Sequence, residues 1–356
     1  MKESMKKQAV MELWRLCFDD TEEFIRFYFE KKYREENALV FWDEQGAAIA
    51  ALQMPPYPMT FAGRQIVAGH ISGACTHPLA RARGVMTKLL RETFYVMRER
   101  KIPVSILIPA SEWLYGYYGK MGYATVFDFT PEHYRILEKP ASDHFRVEAI
   151  RDEALLTDEV FDYFQKMMWQ RPCCVQHDRE DFETIVEDLR ISEGALIVVY
   201  GGERVVGMAF AEPWGNRVLV KEGLYDSDDV KRAALWGVMN HLDAAEIYCR
   251  ALPAGKEDEH RGMARILDVE QVLRLYAVNY PDRSFVLKVT DEWIPENTGI
   301  YVVGQGDCSR DEGKRVEAEL TIQELTRLLF GYQPERNPVL NPYFETCQPF
   351  ISLMLD

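Results

Sequence analysis

The stretch Thr76-His-Pro-Leu-Ala-Arg-Ala-Arg-Gly84-Val-Met-Thr87 separates two patterns of different period. Residues 66–76 before it are typical of a strand, whereas apolar residues from Met86 onward recur at the three- and four-residue spacing of a helix. Free amides at a helix N-terminus suit a phosphate, and Arg81 and Arg83 add positive charge. The stretch therefore predicts a phosphate-binding loop, although two solvated arginines on a turn would give the same local pattern.

Strands and helices alternate around this loop. Two short helices open the chain, and residues 38–53 form a predicted hairpin. A buried strand at residues 104–108 stops at Pro109, and a short aromatic helix follows and ends at Gly122. This order predicts an α/β (α+β) fold.

Two further units follow a polar connection near residues 137–144. The clearest parts of the chain's second unit are a hairpin at residues 195–211, a helix at 228–242 and a strand at 246–251. The third begins near Arg261 and contains a capping box at Thr321. Its last eight residues are apolar up to Asp356, so we expect the protein to bury this tail.

Composition excludes several classes of function. Hydrophobic residues make up 47% and charged residues 28%, which is typical of a folded globular protein. A net charge of −15 disfavours nucleic acid and anionic membranes and favours a cationic partner, although acidity alone also keeps proteins in solution.

No signal peptide or spanning segment is apparent, so we expect a cytoplasmic protein. The seven cysteines and seven histidines lack metal-site spacing, so no metal is expected.

The loop resembles the acetyl-CoA loop of the GCN5-related N-acetyltransferase (GNAT) superfamily. That pattern is Arg or Gln, two residues, Gly, one residue, then Gly or Ala. Arg81 and Gly84 match it, and Met86 departs from it. The whole chain resembles the enhanced intracellular survival (Eis) type, in which a large apolar residue follows the loop. This resemblance implies a catalytic GNAT domain with a mixed, splayed sheet (residues 1–140), a second, degenerate GNAT-like domain (141–260) and a sterol-carrier-like α+β domain (261–356).

The resemblance also implies site residues for acetyl-CoA as cosubstrate. The backbone that pairs with the pantetheine arm would come from Ala74, Cys75 and Thr76. The residues that hold the pyrophosphate would be Arg81, Ala82, Arg83, Gly84, Val85, Met86 and Thr87. Tyr118, placed four residues before Gly122, would be the general acid. Tyr115, Tyr117 and Tyr123 are better explained as packed aromatic residues.

A base is implied at the chain's end. Eis-type enzymes use their own C-terminal carboxylate, which corresponds to Asp356 here. A C-terminal strand that only completes a sheet is the alternative. His77 is another candidate base, although a turn that caps the end of a strand suits a Thr-His-Pro sequence better.

Three functions remain open at this stage. The leading one is acetyl transfer to a primary amine of a cationic small molecule, aminoglycoside- or polyamine-like. The others are a carrier of lipids or apolar ligands, through the sterol-carrier-like domain, and a catalytically inactive assembly protein. The family assembles as hexamers, which implies a homo-oligomer.

Overall fold

A computed structural model describes residues 4–135, 144–255 and 257–355. The predicted boundary at residues 140 and 141 and the predicted base Asp356 lie outside these residues. The helices are α1 (Met5–Cys17), α2 (Glu22–Lys31), α3 (Val85–Glu99), α4 (Glu112–Gly119), α5 (Asp158–Trp169), α6 (Arg179–Ile191), α7 (Asp228–His241), α8 (Val269–Asn279) and α9 (Ile322–Leu329). The strands are β1 (Ala38–Trp42), β2 (Ala48–Gln53), β3 (Pro56–Phe61), β4 (Arg64–Thr76), β5 (Val104–Leu107), β6 (Ala124–Tyr134), β7 (Phe145–Ile150), β8 (Cys174–Val175), β9 (Ala195–Gly201), β10 (Arg204–Trp214), β11 (Arg217–Tyr225), β12 (Ile247–Ala251), β13 (Glu259–Ile266), β14 (Phe285–Thr290), β15 (Gly299–Gly304), β16 (Asp307–Arg310) and β17 (Ala318–Thr321).

The chain divides into two compact units. The first contains the residues up to Phe127 and the returning segment Arg261–Pro349. The second contains Asp128–His260 and Phe350–Leu355. The three-domain division expected from the sequence stays a prediction.

A mixed sheet organises the first unit. Its strands follow the order β1-β2-β4-β5-β13, and β3 pairs with β4. Strands β4 and β5 run parallel because α3 connects them as a crossover, whereas the other pairs are antiparallel. Leu89 and Phe94 on the apolar face of α3 are buried with Ile71 and Leu107 of the sheet. The predicted strand, loop and helix are confirmed.

A smaller sheet, with the order β16-β15-β14-β17, completes the first unit. Strand β14 is antiparallel to β15 and parallel to β17. Helix α9 follows β17 and begins at the predicted capping box. The Thr321 hydroxyl accepts the Glu324 N–H at 3.3 Å, and the Glu324 carboxylate accepts the Thr321 N–H at 2.7 Å.

A second mixed sheet organises the second unit. Its order is β6-β12-β11-β10-β9-β7, and β6 contributes residues 130–134. Successive side chains of β9 enter two different cores, one shared with α5 and α6 and the other with α7. Helices therefore cover both faces of this sheet. The predicted hairpin, helix and strand of this unit are confirmed.

The apolar tail is buried in the second unit, as its composition required. Phe350 is 2% exposed and its N–H donates to the Cys173 carbonyl at 3.0 Å. The Ser352 hydroxyl donates to the buried Glu222 carboxylate at 2.6 Å. The described tail makes one isolated bridge, to Cys174, and no strand, so it docks chiefly through side chains.

Candidate active site

The parallel strands β4 and β5 separate at one end of the first sheet. Their pairing runs from Ala68–Val104 to Ile71–Leu107. Strand β5 ends at Leu107, whereas β4 continues to Thr76. Backbone polar groups need partners when they are buried. The last residues of β4 therefore form an edge along which an extended ligand with amide groups can pair.

A bulge in β4 accompanies this separation. On its other side β4 pairs with β2, and the register shifts so that two residues, Gly73 and Ala74, lie opposite Leu52 alone. Gly73 has φ +57°, and a Cβ added there would lie 2.4 Å from the Trp14 ring. Bulges bend and re-aim a strand. Gly73 thus allows the bend that directs residues 74–76 away from β5.

The predicted phosphate loop enters α3 through left-handed backbone. Ala82 has φ +61° and Gly84 has φ +71°. The first backbone hydrogen bond of the helix runs from the Lys88 N–H to the Gly84 carbonyl, at 3.1 Å. The N–H groups of residues 85–87 precede it, and the first turn carries no acidic side chain. The helix N-terminus therefore presents amides and its positive dipole end to an anion.

The two loop arginines differ in their contacts. Both are exposed, and Arg81 is held because its Nε donates to the Thr76 carbonyl at 3.2 Å. Arg83 follows Ala82 in the exposed part of the loop. Space is open within 4 Å around a Cβ added at Gly84, so the positive φ, and no close neighbour, accounts for glycine there.

Tyr118 lies on α4 with its side chain buried. The residue is 8% exposed, and the rings of Tyr117 and Tyr123 lie 5.3 and 5.8 Å from its ring. Burial, with a smaller contribution from Tyr117, raises the Tyr118 pKa above its usual value, so the phenol is neutral at pH 7. The Tyr117 hydroxyl lies 3.4 Å from Thr87 Oγ1 and links α4 to the first turn of α3.

The structure brings the predicted segments together. Tyr118 and Val85 belong to one buried apolar cluster, and Ala74 and Met86 pack against it. The end of β4, the start of α3 and the candidate acid therefore contribute side chains to one packed cluster. Met86, the departure from the loop pattern, is explained by this packing.

Side chains from the returning segment fix the end of α4. The carbonyls of residues 119–121 accept hydrogen bonds from Gln323 at 3.0 Å, Trp293 at 2.8 Å and Arg265 at 2.7 Å, respectively. Carbonyls in the last turn of a helix have no partner within it. Gly119 ends α4 and residues 120 and 121 follow it, so these donors tie the end of the helix that carries Tyr118, and the turn after it, to the returning segment. Sequence reasoning missed them because they lie at least 144 residues away along the chain.

The Arg265 side chain is fully buried. Its guanidinium donates two hydrogen bonds of 2.8 Å to the Asp291 carboxylate, and both side chains are 0% exposed. Gly122 has φ +86°, and a Cβ there would lie 1.5 Å from Arg265 Nη1. Glycine is therefore required beside the guanidinium.

His77 has a structural role in this region. Its Nδ1 accepts the Leu79 N–H at 3.2 Å and caps the turn that follows β4. This is the role that the Thr-His-Pro sequence predicted.

The described residues contain no cluster of three or more His, Cys, Asp or Glu side chains arranged for a metal. They also include no helix long and apolar enough to cross a membrane.

The family model described as an acetyltransferase (GNAT) domain matches residues 2–126. The chain contains a GNAT acetyltransferase domain. The match includes every predicted cofactor-binding residue and Tyr118, and it supports an acyltransferase of the N-acetyltransferase type. Acetyl-CoA binding is a general property of the GNAT fold. A model described as a sterol carrier protein domain matches residues 269–336. Curated protein sequences gave no significant match.

Solved structures resemble the whole chain. A probable N-acyltransferase from Enterococcus faecalis is 15% identical with a TM-score of 0.76, covering 98% of this chain and 96% of that one. A GCN5-related N-acetyltransferase from Anabaena variabilis is 17% identical with a TM-score of 0.74, covering 99% and 98%. Eis1 from Mycobacterium abscessus is 13% identical with a TM-score of 0.73, covering 99% and 97%. At these identities the similarity concerns the fold, and the predicted GNAT fold is confirmed.

Proposed function

We propose that the protein transfers the acetyl group of acetyl-CoA to a primary amine of a cationic small molecule, with Tyr118 as the general acid. One observation carries the proposal. The opened edge of β4, the N-terminus of α3 and the buried Tyr118 meet in the acetyltransferase domain.

The chemistry of these residues fits acetyl-CoA. The pantetheine arm contains amides, which can pair with the β4 edge at residues 74–76 as a strand would. The pyrophosphate is an anion, and the amides of residues 85–87 with Arg81 and Arg83 offer donors and positive charge for it. With its arm along β4 and its pyrophosphate at α3, acetyl-CoA would bring its thioester to the region of the apolar cluster that contains Tyr118.

Tyr118 would act on the departing sulfur. The uncharged amine attacks the acetyl carbon, the carbon–sulfur bond breaks, and negative charge develops on a sulfur whose thiol has a pKa of about 8.5. Because burial raises the Tyr118 pKa, complete proton transfer to the thiolate is uphill. We expect a hydrogen bond from the phenol to stabilise the sulfur first, and the proton to follow as the amine releases its own.

The substrate class rests on charge. A net charge of −15 attracts polycations such as aminoglycosides and polyamines over long distances, and salt screens that attraction. The base at Asp356 stays a prediction. We likewise propose that the protein forms a homo-oligomer.

Calorimetric titration with acetyl-CoA, followed by thiol release with an aminoglycoside and with spermine, tests the proposal. Binding together with amine-dependent thiol release supports it. Binding without release from any member of a broad amine panel argues against the transfer reaction and favours the inactive assembly protein. Absence of binding contradicts the assignment of the loop.

Tyr118→Phe tests the acid. Loss of the hydroxyl should lower kcat about 100-fold, which is within the range of general acid catalysis. The affinity for acetyl-CoA should stay within about twofold of the wild-type value. Tyr115→Phe is the matched control, because Tyr115 lies on the same helix and packs against the same cluster. Equal kcat for the two variants would contradict the role of Tyr118.

A lipid carrier is a second candidate, favoured by the sterol carrier protein match at residues 269–336. Fluorescence titration of the full-length protein with a fluorescent fatty acid tests it. Saturable binding that acetyl-CoA leaves unchanged would support a carrier site separate from the acetyltransferase site.

A further inference from the structure

Two thiols that are distant in sequence meet beside the phosphate loop. Cys17 ends α1 and Cys75 lies near the end of β4. Their side chains are hydrogen-bonded to each other, and Cys17 Sγ lies 3.4 Å from the Thr76 carbonyl oxygen. Neither cysteine forms a disulfide in the structure. Cys75 is 5% exposed and Cys17 is partly exposed, so a reagent from solvent reaches Cys17 first.

The surroundings of the two thiols differ in charge. The hydrogen bond from Cys75, together with Arg81, lowers the Cys17 pKa to about 6. The same hydrogen bond and burial raise the pKa of Cys75. The lowered pKa increases the thiolate fraction of Cys17, and thiolates are the reactive form of cysteine. A partly exposed thiol with a lowered pKa, in contact with a buried thiol, has the arrangement of an attacking and a resolving cysteine.

We propose that Cys17 and Cys75 are a site of reversible oxidation by hydroperoxides, at which the two thiols become a disulfide, and that acetyl-CoA protects this site by engaging Arg81. The protection rests on the proposed function. The oxidation rests only on the two thiols and their surroundings.

The reaction balances with one hydroperoxide. The Cys17 thiolate attacks a peroxide oxygen, the oxygen–oxygen bond breaks, and Cys17 becomes a sulfenic acid while the leaving oxygen takes a proton from water. The Cys75 sulfur then attacks the Cys17 sulfur, and the hydroxyl leaves with the Cys75 proton as water. Two electrons pass from the two sulfurs to the peroxide. A dithiol reductant reverses the change by thiol–disulfide exchange.

Arg81 connects this site to the cofactor. It stabilises the Cys17 thiolate, and its Nε donates to the Thr76 carbonyl that Cys17 also contacts. A pyrophosphate that binds Arg81 competes with the thiolate for the same cation. Cofactor binding should therefore make Cys17 less reactive.

Peptide mapping by mass spectrometry tests the disulfide. The full-length protein, treated with one equivalent of hydrogen peroxide and digested without reductant, should yield a Cys17–Cys75 peptide that dithiothreitol removes. Cys17→Ser and Cys75→Ser should each abolish it. Cys347→Ser, at the other partly exposed cysteine, should leave it unchanged. Oxidation of Cys17 that stops at sulfinic acid, or pairing with another cysteine, would overturn the proposal.

The rate of Cys17 alkylation by iodoacetamide tests the role of Arg81. Arg81→Ala should slow it severalfold, whereas Arg83→Ala should not, and equal rates would refute the electrostatic link. Saturating acetyl-CoA should slow alkylation of the wild-type protein to a similar extent. An unchanged rate when calorimetry shows binding would refute protection. Failure of acetyl-CoA to bind would instead overturn the proposed function and leave the disulfide result standing.

Discussion

Substitution of Gly122 by alanine should destabilise the first unit strongly. The added Cβ would lie 1.5 Å from Nη1 of the fully buried Arg265, which is held on its other side by Asp291. At φ +86° the backbone also disfavours any side chain. Left-handed backbone costs about 1–2 kcal/mol and overpacking about 1–3 kcal/mol, so we expect a loss of about 2–5 kcal/mol of unfolding free energy.

Urea unfolding measures this loss, with Gly116→Ala as the matched control. Gly116 lies six residues earlier, within α4, and a Cβ there meets no atom within 4 Å. Alanine in an exposed helix position should be neutral or stabilise by up to about 1 kcal/mol. If the two variants unfold at the same urea concentration, the buried guanidinium does not occupy the space beside Gly122, and the account of how α4 is held is wrong.

Three further predictions concern charge and burial. Asp291→Ala leaves the Arg265 guanidinium buried without its anion, which should cost about 3–5 kcal/mol of unfolding free energy in urea denaturation; a loss below about 1 kcal/mol would mean that the pair is hydrated. Phe350→Ala removes a ring that is 2% exposed and should cost about 3–5 kcal/mol, whereas Val339→Ala, at a 52% exposed position, should change stability by less than about 0.5 kcal/mol. Iodoacetamide alkylation of Cys17 should slow about tenfold from pH 7 to pH 5, because its pKa of about 6 lets the thiolate take up a proton in that range; a midpoint near pH 8.5 would contradict the influence of Cys75 and Arg81.

Sequence reasoning located the features that depend on local signals. The change of period near Gly84 marked the end of β4 and the start of α3, and Thr321 marked the start of α9. Hydrophobic excess at the end of the chain predicted its burial. Each signal lies within a few residues of the structure that it predicts.

Features set by distant residues gave no such signal. Gly73 looked like any glycine in a strand, because Trp14 occupies the space beside it only in the folded chain. Arginine is usually a surface residue, and nothing near Arg265 in the sequence indicates otherwise. In the structure Asp291 pairs with it in the core. Helix α5 was missed, although Thr157 caps it with two acids in its first turn. That signal was present in the sequence and could have been used.

The candidate site around Tyr118 depends on chain beyond the match at residues 2–126. Strand β13 of the returning segment pairs with β5 through Met263–Leu107 to Ile266–Val104, so it covers the edge that β5 would otherwise expose. The same segment supplies donors for the carbonyls at the end of α4, which carries Tyr118, and in the turn that follows it. A chain that stopped after the matched residues would leave a strand edge and the end of a helix without these partners, and both conditions are costly. The geometry around Tyr118 is therefore a property of the whole first unit, and substitutions in the returning segment that remove these donors should alter turnover.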